Sequence, residues 1–214
     1  MLKVKKLVFN PFQENTYLIW DDKTKESIII DPGCSNNSEE KILLSTIEKK
    51  NLKIKYLLNT HCHIDHILGN HFIKEKYNVD FYAPELDLPL LDMAVEQAEM
   101  FRLEITPSPK PDKFITEDLT LAIGEHKMNF LFTPGHTQGE YSIIFYEEKI
   151  CISGDVLFLE GIGRTDLWGG NYETLLNSIR TKLFTLEEDV KVFPGHGDST
   201  TIGYEKEHNP FLKQ

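Results

Sequence analysis

A mixed α/β fold of stacked sheets with helices outside, built as one domain over residues 1–214, is what this sequence predicts. Three observations carry it. Short apolar runs are punctuated by turn residues, which is the pattern of strands. These runs fall in two groups, each with helical stripes among or after them. The length and the 40% hydrophobic content suffice for a sizeable core without staples.

The first group opens with strands at Leu2–Phe9, Thr16–Trp20 and Ser27–Ile30, broken by Asn-Pro and Asp-Asp and closed by Asp31-Pro32-Gly33. Ser38 reads as the N-cap of a helix whose stripe is Ile42, Leu43 and Ile47. Ile54–Leu58 is a short buried strand that delivers Asn59-Thr60-His61 to its C-terminal end. Ile67–Tyr77 reads as a helix and Val79–Tyr82 as a strand. Pro84–Leu103 has a helical pattern that Pro89 should interrupt. Ile105–Lys113, with three prolines, is expected to be a loop and a flap over a site.

The second group has strands at Leu119–Ile123, Lys127–Phe132, Tyr141–Tyr146 and Lys149–Ser153, with Gly124-Glu125 as a hairpin turn. A helix at Tyr172–Phe184, a strand at Val190–Phe193 and a helix at Ile202–His208 complete it.

Charge and cysteine usage narrow the function. Lys+Arg 23 against Asp+Glu 34 gives a formal charge of −11, which disfavours nucleic acid and anionic membrane as partners. Cys34, Cys62 and Cys151 are too few for a disulfide framework. The N-terminal stretch carries no signal-peptide core, and no run approaches the roughly 20 apolar residues that span a bilayer. A reducing, cytoplasmic setting is expected, with the oligomeric state left open.

Five of the eight histidines fall at the ends of expected strands together with two aspartates. His61, His63, Asp65 and His66 form the run H-C-H-I-D-H. His136, Asp155 and His196 each follow a glycine, in Pro134-Gly135-His136, Ser153-Gly154-Asp155 and Pro194-Gly195-His196. A lone histidine at a strand end is usually just hydrogen-bonded. Three histidines and an aspartate within six residues point instead to metal. Imidazole and carboxylate suit zinc or iron, whereas a Cys₄ site is excluded. Seven ligands are too many for one tetrahedral ion. Two ions sharing a carboxylate would use them all and leave a position for water.

With these residues the sequence resembles the metallo-β-lactamase superfamily, and within it the short glyoxalase II-like hydrolases. The likeness rests on T-H-C-H-I-D-H at Thr60–His66, the later G-H, G-D and G-H-G, Gly163-Arg164-Thr165-Asp166, and the tail Ser199–Glu205 with Asn209–Leu212. It implies a four-layer αββα sandwich. It also implies that His61, His63 and His136 hold one metal, that Asp65, His66 and His196 hold the second, and that Asp155 bridges them. Two divalent ions are implied, zinc most often, with iron or manganese accepted.

The chemistry implied is thioester hydrolysis. A hydroxide bridging the two ions attacks the acyl carbonyl, and Asp65 helps to orient it. A thiolate with a pKa near 8.5 leaves without a strong general acid. Arg164 matches the residue that contacts the substrate carboxylate, so a small anionic thioester is the expected partner. An ordinary salt bridge to Asp166 is the plainer role for Arg164.

Two departures leave the thiol open. Only eighteen residues follow His196, where glyoxalase II enzymes have a helical region whose basic residues grip glutathione. Their tyrosines are replaced by Asp166 and Asp198 here.

His63 in place of glutamate disfavours flavodiiron reductases, and Asp155 in place of cysteine disfavours a true β-lactamase. The competing readings are a mononuclear-iron persulfide dioxygenase, which would use His61, His136 and Asp155, and a lactonase. A non-catalytic zinc module would need only four ligands.

The remaining candidates read as structural. Cys62 is expected to pack, and Cys34 to be a buried thiol. His71, His126 and His208 are expected on the surface or behind the ligands. Trp20 and Trp168 read as core or pocket-edge aromatics, and Met93, Met100 and Leu103 as a helix packing face.

Overall fold

A computed structural model describes residues 1–213. The chain divides into two compact units, Met1–Phe114 with Ala122–His126, and Ile115–Leu121 with Lys127–Gln214.

The first unit is built on a mixed sheet with strands in sequential order. They are β1 (Leu2–Phe9), β2 (Glu14–Asp21), β3 (Glu26–Ile30), β4 (Lys53–Leu58), β5 (Asp80–Ala83) and β6 (Lys113–Phe114). β1–β2 and β2–β3 are antiparallel, and β3 to β6 run parallel. Parallel neighbours need crossovers, and helices supply the first two. α1 (Asn37–Lys49) links β3 to β4, while α2 (Ile64–Ile67) and α3 (Asn70–Tyr77) link β4 to β5. α4 (Leu88–Asp92) and α5 (Ala94–Phe101) follow β5. Leu18, Ile29, Leu43, Ile47, Leu57 and Phe81 are central to this unit's core.

Local chemistry moves several expected boundaries. α1 is capped by Asn36, whose side chain accepts from Ser38 N and Glu39 N, so Ser38 lies inside the helix rather than at its cap. Asn36 has the extended backbone that a cap requires. The helix expected over Ile67–Tyr77 is two helices, because Gly69 N donates to Pro32 O at 2.7 Å instead of continuing the helical ladder. Pro89 does not interrupt α4. It sits in the first turn, where a missing N–H costs nothing, and the break falls at Met93.

Met93 and Leu103 pack on the core, but Met100 is 79% exposed, so the three do not form one packing face. Residues 105–112 are irregular, as expected for the loop, whereas Lys113 pairs with Tyr82 in β6. Asn70 Nδ2 donates to Ser108 Oγ, and Phe81 N donates to Asp112 Oδ2, which straps this segment to α3 and β5.

The second unit is built on a second sheet and a hairpin, with β7 (Thr120–Ile123) and β8 (His126–Phe132), whose residues between Ala122 and His126 are counted in the first unit, then β9 (Tyr141–Phe145), β10 (Ile150–Gly154), the small hairpin β11 (Leu157–Phe158) and β12 (Gly161–Ile162), β13 (Lys191–Pro194) and β14 (Thr200–Thr201). The order in its sheet is β14-β13-β10-β9-β8-β7. β8–β9 and β9–β10 are antiparallel, and β10–β13 is parallel. α6 (Tyr172–Thr181) crosses over between β10 and β13, burying Leu175, Leu176 and Ile179 along one face. Each such residue contributes about 1.5–3 kcal/mol on burial. α7 (Ile202–His208) has the expected bounds and is capped by Thr201.

Trp20 is buried, Trp168 is half exposed, and all three cysteines are free and buried. Among the described residues no helix is long and apolar enough to cross a membrane.

Candidate metal centre

The first unit gathers its candidate ligands through parallel strand pairing. Ile30 of β3 stands opposite Leu58 of β4, so the two strands end side by side. Asp31 and Thr60 therefore meet just past the sheet edge. Thr60 N donates to Asp31 Oδ1 at 2.8 Å, and Thr60 Oγ1 donates to Asp31 Oδ2 at 2.6 Å.

That orientation leaves Thr60 Oγ1 as acceptor for His61 Nδ1, 3.1 Å away. A proton on Nδ1 makes Nε2 the lone-pair atom of His61, as metal ligation requires. His66 Nδ1 lies 3.2 Å from the same Asp31 Oδ2. Asp31, His61 and His66 are all buried, and each offers a ligand atom within 4.8 Å of the others.

The His63 ring stands 5.0 Å from that of His61, edge to face. Asp65 lies on α2 with Oδ2 3.6 Å from His66 Nε2. The four candidate ligands of H-C-H-I-D-H are thus brought together within this unit. Cys62, between them, is fully buried and points into the core.

Sequence reasoning missed Asp31, which it read as a strand-closing turn residue. The available signal was a carboxylate directly after the apolar run Ile28–Ile30. A carboxylate buried there must be hydrogen-bonded or paired. Asn59 was also passed over. Its Nδ2 donates to His66 O at 3.0 Å, and its Oδ1 accepts from Asn70 Nδ2 at 2.7 Å.

The second unit arranges its three candidates by the same logic. β10 and β13 are parallel neighbours, so Asp155 and His196 leave adjacent strand ends, with Gly195 N donating to Gly154 O at 2.8 Å. β8 is antiparallel to β9, which is antiparallel to β10, so the loop after β8 carries His136 to that same edge. Nε2 of His136 and Nε2 of His196 each lie 3.5 Å from Asp155 Oδ2. Two donors on one tetrahedral ion with bonds of about 2.1 Å stand about 3.4 Å apart, so this spacing fits a metal. The donor types, imidazole and carboxylate, suit zinc or iron.

Arg164 holds this group in a way the sequence did not suggest. Its backbone carbonyl accepts from His136 Nδ1 at 2.7 Å, again leaving Nε2 to face a ligand. Gly163 allows the approach. A Cβ there would run into Asp155 O and come within 3.1 Å of His136 Cβ.

The Arg164 guanidinium makes a bidentate pair with Asp166, both contacts at 2.8 Å. This pairing pulls the Asp166 carboxyl down to about 2. Glu140, also unnoticed in the sequence, is fully buried and accepts from Asp155 N.

The remaining histidines do not join these groups. His71 and His208 are on the surface beside Glu75 and Glu207. His126 is buried, with Nε2 3.4 Å from Asp21 Oδ1. Burial raises all three thiols, that of Cys151 to about 12, which removes them as nucleophiles. The tail motif is structural: buried Glu205 accepts from Thr200 Oγ1, Glu160 N and Asn209 Nδ2.

The family model for the metallo-β-lactamase superfamily matches residues 9–196, a span that runs through both units. The chain belongs to the metallo-β-lactamase superfamily.

It is 43% identical over 203 residues to hydroxyacylglutathione hydrolase GloC of Haemophilus influenzae, covering 94% of this chain and 93% of that protein. The crystal structure of TTHA1623 in a di-iron-bound form superposes with a TM-score of 0.87 at 33% identity, covering 98% of this chain and 100% of that one. The BLEG-1 B3 metallo-β-lactamase gives a TM-score of 0.85, also at 33% identity, over 100% of both chains. The fold is therefore the mixed α/β metallo-β-lactamase fold, and the chain is a metal-dependent hydrolase of that superfamily.

Proposed function

We propose that this chain hydrolyses small anionic thioesters, with His61, His63 and His136 holding one divalent metal, Asp65, His66 and His196 the other, and Asp155 both. The observation that carries the reading is the convergence of two imidazole Nε2 atoms on one oxygen of Asp155, each at 3.5 Å. The likeness to GloC, a hydroxyacylglutathione hydrolase by name, supports the thioester class. Zinc is the ion we assign by donor chemistry, with iron the competitor because TTHA1623 has a di-iron form.

When bound, the two ions supply a hydroxide near neutral pH and polarise the acyl oxygen. The chain's own groups do the rest. Asp31 through Thr60, and the Arg164 carbonyl, fix the imidazole tautomers of His61 and His136. Asp65 carries a carboxylate able to accept a proton from the attacking water. Arg164 provides the cation for an anionic substrate, which competes with Asp166 for it. A thiolate leaving group is stable enough to depart without a dedicated acid. The setting we assign is cytoplasmic.

Metal analysis of protein purified without added metal or chelator, followed by a thioester panel, tests this. About two ions per chain and turnover of an anionic thioester are expected. A single iron per chain, with oxygen uptake on a persulfide and no thioester turnover, would replace this reading with dioxygenase chemistry.

A further inference from the structure

We infer that Asn10, on the turn after β1, is a positioning residue that sets the place of Asp65; this rests on reading Asp65 as a metal ligand. α2 has only four residues and no side-chain cap at its N-terminus, so it cannot stabilise itself. In a continuing helix the Asp65 carbonyl would accept from the N–H of residue 69. That N–H is diverted to Pro32 O at 2.7 Å. Asn10 replaces it, with Nδ2 donating to Asp65 O at 2.9 Å and, with its other proton, to Gly33 O at 2.9 Å.

The amide is itself fixed. Asn10 Oδ1 accepts from Phe12 N at 3.0 Å, and Asn10 N donates to Glu39 Oε1 at 3.0 Å. The residue is 8% exposed and has φ 52°, a left-handed conformation that asparagine tolerates better than most side chains.

Only a neutral carboxamide supplies two donors and one acceptor in a plane at this position. Gly33 keeps the path open. A Cβ there would stand 2.6 Å from Asn10 Nδ2 and 2.7 Å from Asp65 O. Gly33 is held from its other side by Thr16 Oγ1, which accepts its N–H at 2.9 Å and donates to Glu14 Oε2 at 2.9 Å. A residue 55 positions upstream therefore sets where the α2 backbone sits, and with it the side chains of Asp65 and His66.

Asn10→Asp keeps the shape but turns acceptors toward two carbonyls, and this variant tests the inference without any substrate. Zinc is titrated into metal-free wild type, Asn10→Asp and Asp65→Ala against a competing chelator, with folding followed by circular dichroism. Asn10→Asp is expected to weaken one of two zinc sites by about 10–100-fold and leave the other within threefold. Two sites of wild-type affinity in Asn10→Asp, with one lost in Asp65→Ala, would overturn the role of Asn10. Two intact sites in Asp65→Ala would overturn the ligand assignment and the inference with it.

The wild-type protein provides a second measurement should Asn10→Asp fail to fold. The Asn10 side-chain NH₂ resonances are expected to shift with one of the two zinc equivalents. Resonances unmoved by both would overturn the inference.

Discussion

The buried carboxylate of Glu140 accepts the backbone N–H of Asp155 at 2.6 Å. A buried main-chain donor left without its acceptor costs about 1–3 kcal/mol. Because it acts on the backbone, the Asp155 carboxylate still faces His136 and His196.

Glu140→Ala should therefore lower kcat/KM by about 10–100-fold and reduce metal content, the range seen when a ligand's support is removed. Glu140→Gln keeps an acceptor oxygen and should stay much closer to wild type. Steady-state kinetics with metal analysis check this pair. An alanine variant with full metal and unchanged turnover would return Glu140 to a packing role.

Asp31→Asn is expected to disturb His61 without emptying the space around it. An amide group facing Thr60 Oγ1 reverses that hydroxyl's role and disfavours the proton on His61 Nδ1. Metal affinity should fall by about 10–100-fold. Nitrogen chemical shifts of the His61 ring report the tautomer directly, and an unchanged spectrum would count against the Asp31–Thr60–His61 chain.

Arg164→Ala should raise KM for an anionic thioester several-fold, with kcat and metal content held. The separation arises because His136 leans on the residue-164 carbonyl, which alanine also supplies. The same variant has a pH signature. Arg164 depresses the Asp166 carboxyl to about 2, so the pair is fully present above the ordinary carboxylate value of about 3.9 and is lost as pH falls through about 2. Asp166 should titrate near 2 in wild type and move upward in Arg164→Ala, as followed by carboxyl carbon shifts. Equal titration in both proteins would dissolve the pair as a solution feature.

The cysteines should be silent at pH 8. Burial holds the Cys151 thiol at about 12 and pushes Cys34 and Cys62 up as well, so no appreciable thiolate exists. Alkylation followed by mass spectrometry should label none of them in native protein and all three after unfolding. Rapid native labelling of Cys34 would reopen it as a reactive group.

What the sequence made legible follows from how each signal is encoded. The strand Leu2–Phe9 and the helix Ile202–His208 were readable, and the strand expected at Val190–Phe193 lies one residue on at Lys191–Pro194, because apolar alternation and turn residues are local. The histidine cluster was readable because metal ligation restricts residue type. Asp31, Glu140 and Asn10 were not, since each acts on a partner 15 or more positions away. Their roles exist only once β3 lies beside β4, Glu140 reaches Asp155, or the turn after β1 meets α2. Arg164 was singled out for its side chain, whereas its carbonyl holds His136, a role that residue type does not encode.

Gly163 turns this around, because one letter of the sequence records a distance. Any Cβ at that position collides with the carbonyl of Asp155, so the letter G there certifies that the 163–164 backbone presses on the proposed bridging residue. A homologous chain with a bulkier letter at this place must route the loop elsewhere. Its counterpart of His136 would then need a different acceptor to keep its lone pair aimed at metal. Reading that single position alongside the histidines would sort related sequences by how they anchor the imidazole.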